Sequence, residues 1–224
     1  MTDLCGLLQL ADGAFPAGAF GHSFGLETAI ADGRVCDGPT LEAWIGSYVV
    51  DGCATLDGGA LALALHESAP VRALDARVTA AQPNEEIRRA NRHLARATLD
   101  TYDAIGIADA RIAAYAVDVA EGISAGVHAL AAGLGFRAIG ASVPEALEAY
   151  AAMLVGGCVS VAARGVPLGQ RVAARTRRRL GDAVRAFVER ALAVRDLDDL
   201  RASAIGCEID GLRHRTLSAR LFAS

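Results

Sequence analysis

The chain has 224 residues, of which 53% are hydrophobic and 21% charged, and its formal net charge at pH 7 is −4. This length suffices to bury a core without disulfides, the composition is that of a globular and not a disordered protein, and the acidic balance argues against a general nucleic-acid binder. The five cysteines are odd in number and none lies at metal-motif spacing, which indicates mostly buried thiols in a reducing cytoplasm. The high hydrophobic content has two open interpretations: a surface covered by a partner, or a chain rich in alanine.

Helical periodicity runs through the first part of the chain. The apolar residues of a first helix follow the i, i+3, i+4, i+7 pattern: Leu4, Leu7, Leu8 and Ala11. Pro16 breaks this pattern, and a second helix is predicted from Ser23, as its N-cap, to about Asp32. Pro39 is suited to open a third helix, and the pair Gly58–Gly59 is expected to interrupt the chain after it.

Further helices are predicted along the rest of the chain. Short ones are expected over Leu61–His66 and Val71–Thr79. The stretch Pro83–Glu86 is typical of a helix start, since carboxylates lie there near the positive end of the helix dipole. Ser142 and Glu145 fit a capping box, and one long arginine-rich helix is predicted from about Gln170 to Arg195.

No segment shows the alternation of a strand, so the predicted fold is all-α. We expect a single compact helical domain of roughly eight to ten helices over residues 1–224. The longest uncharged runs, Gly122–Phe136 and Ala149–Ala163, are shorter than the ~20 residues that a membrane-spanning helix needs. They are therefore predicted to be buried core helices and not membrane spans.

The glycine-rich stretch FPAGAFGHSFGLE, residues 15–27, suggests a nucleophile at first sight. Its Gly-His-Ser-Phe-Gly core is superficially similar to the Gly-x-Ser-x-Gly elbow of hydrolases. That elbow requires a preceding strand, and none is predicted here. A role for Ser23 as a helix cap is therefore favoured over a catalytic role.

Cofactor and metal motifs are weak in this sequence. The chain has no lysine, which excludes a Walker A loop. No two of its five histidines are three or four residues apart, and no Glu-x-x-His occurs, so a helical di-iron site lacks its signature. We expect no catalytic set, no bound cofactor and no metal site within one chain, while a transient metal contact shared between two chains stays open.

Two segments are candidates for contacts with partners. Arginines recur on one face of the predicted long helix: Arg171, Arg175, Arg178 and Arg185, with Arg177 and Arg179 alongside. This face is either a solvated surface or a docking strip for an acidic protein. The final stretch keeps Leu217, Leu221 and Phe222 close to its end, so it either packs on its own core or presents an apolar surface to a partner.

Taken together, three stretches resemble the urease accessory protein UreF family. Leu7–Asp12 followed by Phe15–Glu27 is similar to the family's N-terminal signature, Val166–Gln170 to its internal turn, and Leu212–Ser224 to its C-terminus. The similarity extends over nearly the whole chain, in the same order.

The resemblance implies a cytoplasmic, homodimeric, all-helical protein that is not an enzyme. Such a protein is a scaffold or chaperone that bridges a UreD/UreH-type accessory protein and the GTPase UreG, so that nickel is inserted into apo-urease with GTP hydrolysis. It implies that residues 208–224 bind the UreD/UreH-type partner through Arg213, His214, Arg220, Leu221, Phe222 and Ser224. It also implies that the N-terminal signature helps to build the dimer or the GTPase-docking region, through Phe15, Pro16, Gly18, Phe20, His22, Ser23, Gly25 and Glu27. No cofactor, nucleic acid or membrane is implied.

Two other functions remain as alternatives at this point. One is a helical cofactor-dependent enzyme, heme-oxygenase-like or di-iron. The other is a helical regulator that binds DNA through the arginine-rich helix.

Overall fold

The computed structural model describes residues 2–223, apart from the side chain of Phe20, and within that range it contains helices and turns but no strand. The all-α prediction is confirmed. The α-helices are α1 (Leu4–Leu10), α2 (Leu26–Ala31), α3 (Gly38–Gly46), α4 (Gly59–Leu65), α5 (Val71–Ala81), α6 (Glu85–Ile105), α7 (Ala110–Ala120), α8 (His128–Ala138), α9 (Val143–Gly165), α10 (Gln170–Arg179), α11 (Gly181–Ala193) and α12 (Ile205–His214).

Local capping signals fix several helix starts as predicted. The Ser142 hydroxyl and the Glu145 carboxylate form a reciprocal capping box at the start of α9. The Asn84 side chain accepts a hydrogen bond from the Glu86 amide at the start of α6. Pro39 lies in the first turn of α3, behind an Asp37 cap.

The pair Gly58–Gly59 does not interrupt the chain, so that prediction is wrong. A π-helical segment, Ser47–Gly58, joins α3 to α4, and the helix is continuous over Gly38–Leu65. A Cβ on Gly58 would lie 2.6 Å from the Phe187 ring of α11, and one on Gly59 would lie 2.7 Å from Val194. The glycines therefore serve close packing of α11 and not a turn.

The centre of the protein is α8, which is buried from His128 through Phe136. It packs against α4, α6, α7 and α9. The apolar run that was predicted to be a buried core helix thus supplies this helix, after a loop up to Val127. Because this part of α8 is covered on all sides, residues 129–136 are small or apolar around the whole circumference, and only the last turn, with Arg137, is exposed.

Two helices are long and apolar enough to cross a membrane: Gly38–Leu65 and Val143–Gly165. Burial inside the protein covers 72% and 56% of their most apolar stretches, respectively. Core helices of soluble proteins pass the same test of length and composition, so these helices are weak indicators of a membrane span.

The long arginine-rich helix that was predicted is in fact two helices, α10 and α11. The break lies at Leu180, which is buried, and Gly181, whose residue type has low helix propensity. Arg185 therefore lies on a different helix from Arg175 and pairs with Asp182. Arg179 lies 3.5 Å from Glu42, so part of this charge is compensated within the chain.

Candidate functional site

The C-terminal segment, residues 205–223, packs against the N-terminal signature of the same chain. Helix α12 lies on α2 and on the π-helical segment, and the residues after His214 continue without regular helix along the signature. The two ends that carry the family resemblance therefore form one site.

The signature reaches this site through a left-handed turn at Gly25. Helix α2 begins at Leu26, and its N-cap is Gly25, with φ +96° and no side-chain cap. The prediction that Ser23 caps this helix is therefore wrong: Ser23 is buried two residues before the cap, and its carbonyl accepts from the Leu26 amide. A Cβ on Gly25 would lie 2.6 Å from the Gly211 nitrogen, so α12 approaches the backbone itself.

His214 is fully buried between two carboxylates, an arrangement called here the histidine clamp. Its Nε2 lies 2.8 Å from Oε2 of Glu27, and its Nδ1 lies 2.9 Å from Oε2 of Glu86. Each ring nitrogen of His214 is thus within hydrogen-bond distance of one carboxylate oxygen. The clamp joins the first turns of α2 and α6 to the end of α12.

Glu27 also holds the chain beyond the clamp. Its carboxylate accepts hydrogen bonds from the Leu221 amide, at 2.5 Å, and from the Phe222 amide, at 3.2 Å. Arg220 lies 3.2 Å from the second oxygen of Glu86. Each carboxylate of the clamp is thus hydrogen-bonded on both oxygens, as buried charges require.

The last apolar side chains divide between the core and solvent. Phe222 is buried, with the Arg164 guanidinium 4.4 Å from its ring centre, whereas Leu221 is 73% exposed. The stretch thus packs on its own core through Phe222, and contact of a partner with the exposed Leu221 stays a prediction.

A second set of contacts fixes α12 itself. Asp210 is buried and accepts hydrogen bonds from the Trp44 indole, at 3.0 Å, and from Arg34. Arg213, on the exposed side, pairs with Asp32 at 2.7 Å. These partners were not predicted, because no local pattern links residues so far apart in sequence.

The other predicted residues of the N-terminal signature are spread around this site. Phe15 is partly buried beside Tyr102, and Pro16 is exposed. Gly18 has φ +79° and lies against His93, and His22 lies near the same histidine, with the ring centres 6.1 Å apart. The Phe20 side chain and Ser224 lie outside the described residues.

A small internal cavity of about 70 Å³ lies beside the signature, next to His22, Asp57 and His128. Nε2 of His128 and Oδ1 of Asp57 have no hydrogen-bond partner in the described part of the chain. Burial lowers the pKa of His128 to about 4, helped by the nearby His22, and burial raises the pKa of Asp57 to about 6. Across residues 2–223, no three His, Cys, Asp or Glu side chains are grouped so as to hold a metal ion.

These two groups are expected to affect stability in opposite directions on acidification. His128 takes up its proton more readily in the unfolded chain, so its contribution is lost as the pH falls from about 6.5 to 4. Asp57 takes up its proton more readily in the folded chain, so acidification below about pH 6 increases its contribution to the free energy of unfolding. A variant that lacks one of these titrating groups should show the pH dependence of stability that the other group causes.

The variant Asp57→Asn is therefore expected to lose about 2 kcal/mol more free energy of unfolding than the unmodified chain between pH 6.5 and 4. Urea denaturation at several pH values measures this difference. Asp100→Asn, the same change at an exposed position, is the control and should follow the unmodified chain. Parallel curves for all three proteins would contradict the opposition of the two groups.

Comparison with known proteins places this chain among urease accessory proteins. The UreF family model matches residues 35–181. The urease accessory protein UreF of Paenarthrobacter aurescens is 35% identical over 218 residues, covering 97% of this chain and 96% of the relative. The proteins of the same name from Arthrobacter sp. FB24 and Corynebacterium glutamicum are 34% and 31% identical, with the same coverage.

Proposed function

The chain belongs to the UreF family, and on that premise we propose that it is a non-catalytic scaffold in urease maturation. In this proposal it joins a UreD/UreH-type accessory protein to a UreG-type GTPase, so that GTP hydrolysis accompanies nickel insertion into apo-urease. Nickel is the cargo of the complex and not a resident cofactor of this chain. Membership in a family of accessory proteins favours this role over the cofactor-dependent helical enzyme and over the DNA-binding regulator.

The observation that carries the proposal is that residues 205–223 contain both buried anchoring side chains and one exposed apolar side chain. The histidine clamp and Phe222 anchor this segment to its own chain, while Leu221 remains 73% exposed. Glu27 holds the backbone that carries the exposed Leu221, so this backbone is already ordered before a partner binds. Binding then costs less conformational entropy than it would for a disordered segment. We assign Leu221, together with its neighbour Arg220 and with Arg213 on α12, to the contact with the UreD/UreH-type partner.

We also propose that the protein works as a homodimer in the cytoplasm. One face of α12 exposes Ile205, Ile209 and Leu212 at helical spacing, and α1 exposes Leu4 and Leu8. Exposed apolar stripes of this kind are typical of surfaces that another chain covers. Among the signature residues, Ser23, Gly25 and Glu27 are buried, whereas Pro16 and Gly18 are exposed. The part of the signature in the dimer or in GTPase docking stays a prediction.

The variant Leu221→Arg is expected to weaken binding to the purified UreD/UreH-type protein about ten-fold or more, since a charge would replace an apolar anchor. The Leu221 amide can still donate to Glu27, so the free energy of unfolding should change little. Ile123→Arg is the matched control, because Ile123 is 54% exposed in a loop after α7. Light scattering on the same samples reports whether one or two copies enter the complex.

Activation of apo-urease by nickel, GTP and the UreG-type GTPase, with and without this chain, tests the role itself. Equal binding by Leu221→Arg and Ile123→Arg would remove the assigned contact but not the role. Urease activation that does not depend on this chain would remove the role.

A further inference from the structure

A basic groove of about 740 Å³ lies between α6 and the C-terminal segment. Its positive side chains are Arg89, Arg92, Arg96 and Arg220, and His93 lies among them. The whole chain carries a net charge of −4, so this concentration of cations is local. The sequence prediction had placed the arginine cluster of interest on the later helices, α10 and α11.

Four of these residues share one face of α6, at positions i, i+3, i+4 and i+7. The opposite face of the helix, including Leu94 and Tyr102, is buried. Like charges one turn apart destabilise a helix by about 0.2–0.5 kcal/mol per pair, so this row is unfavourable in isolation. Negative charge from elsewhere would relieve it.

Within the chain, the exposed Glu85 carboxylate pairs with Arg88 and also lies near Arg89 and Arg92, so it offsets part of this charge from outside the groove. Glu86 is the one acidic side chain lining the groove, and its two oxygens already contact His214 and Arg220. Among the described residues, Arg89 and Arg96 form no ion pair, and Arg92 donates to the Ala125 carbonyl. The exposed Asp100, one turn beyond Arg96, is not paired with it either.

The shape of the groove selects among anionic ligands. Ala90, Phe222 and Ala223 contribute apolar surface between the arginines, which suits a chain with aliphatic side-chain stems. The Phe222 ring is buried with Arg164 over it, so it cannot serve as a stacking platform for nucleic-acid bases. The groove is open to solvent, unlike the enclosed pockets that take small molecules.

We propose that the basic groove binds an acidic peptide segment of a partner protein. Guanidinium groups bind carboxylates through paired hydrogen bonds, and three of them line the row on α6. From Arg89 to Arg96 the row extends about 10 Å along the helix, which an extended segment of about four residues matches. The groove binds such a segment whether or not Leu221 contacts an accessory protein, so the two proposals can fail separately.

Fluorescence anisotropy of a labelled deca-glutamate peptide tests this proposal on the full chain. We compare the unmodified protein with Arg89→Glu/Arg96→Glu and with Arg195→Glu/Arg201→Glu. The second pair makes the same change in net charge at exposed arginines outside the groove. Charge reversal in the groove is expected to weaken binding about ten-fold or more, and the control less than about two-fold.

A second variant, Arg89→Gln/Arg96→Gln, removes the two charges without adding carboxylates to the helix. It should lose an intermediate amount of peptide affinity, and it replaces the charge-reversal variant if that variant does not fold. Circular dichroism confirms that each variant is folded. Equal weakening by the groove and control pairs would overturn the proposal, because it would show attraction to net charge alone. Absence of peptide binding, or displacement of the peptide by inorganic pyrophosphate or single-stranded DNA at lower concentration than by unlabelled peptide, would overturn it as well.

Discussion

Replacing His214 with alanine is expected to lower the free energy of unfolding by about 3–5 kcal/mol. The imidazole lies between Glu27 and Glu86, both of which are nearly buried. Without it the two carboxylates face each other's charge in a cavity with only Arg220 and backbone amides to offset them. The C-terminal segment should then detach and become sensitive to protease.

Urea denaturation and limited proteolysis measure these two effects. His66→Ala is the control, because His66 is exposed at the end of α4. Adding Glu27→Gln and Glu86→Gln to His214→Ala should restore part of the lost stability, since it removes the unpaired buried charges. A loss below about 1 kcal/mol for His214→Ala is what a solvated, surface-type pair would give, and it would contradict the clamp.

Replacing Gly25 with alanine is expected to cost about 3 kcal/mol or more, from two sources that add. The residue has φ +96°, which is unfavourable for any side chain, and its Cβ would lie 2.6 Å from the Gly211 nitrogen and 3.0 Å from the Cys207 carbonyl. Helix α12 would have to move away from α2, which would also open the histidine clamp.

Gly33→Ala separates these two sources. Gly33 has φ +73°, but a Cβ there would meet no atom within 4 Å, so only the backbone strain of about 1–2 kcal/mol applies. Chemical denaturation of the two variants gives the difference directly. If Gly25→Ala and Gly33→Ala lose the same amount, the close approach of α12 contributes nothing.

What could be predicted from the sequence depended on how local the signal was. The starts of α9 and α6 depend on short sequence signals, Ser142–Glu145 and Pro83–Glu86, each four residues long. Both predicted starts were confirmed. The pair Gly58–Gly59 was misinterpreted because glycine marks both turns and close helix packing, and only the position of Phe187 distinguishes the two. Leu180 broke the predicted long helix for a similar reason, since its burial is decided by the rest of the fold.

The site was accessible only in part. The resemblance selected both Glu27 and His214, but as members of separate regions, and nothing in their neighbourhoods indicates that they touch. Glu86 was recognised for its place in the first turn of α6, where a carboxylate is favourable, and that role did not indicate a second one as a partner of His214. The groove on α6 could not be predicted from the sequence, because its other wall is the C-terminal segment and the position of that segment is decided by the fold.

The histidine clamp has a consequence for the order in which the molecule forms. His214 is separated in sequence from Glu27 by 187 positions and from Glu86 by 128 positions. The hydrogen bonds within each helix, in contrast, join residues only one turn apart. Contacts of such long separation form after the local ones, because loop closure must come first. Before residues 205–223 pack, Glu27 and Glu86 are expected to be hydrated carboxylates on the surface, and packing of this segment converts that surface into interior. The same contacts fasten the end of the chain to α2 and α6 as one unit, so loss of the clamp is expected to release residues 205–223 together.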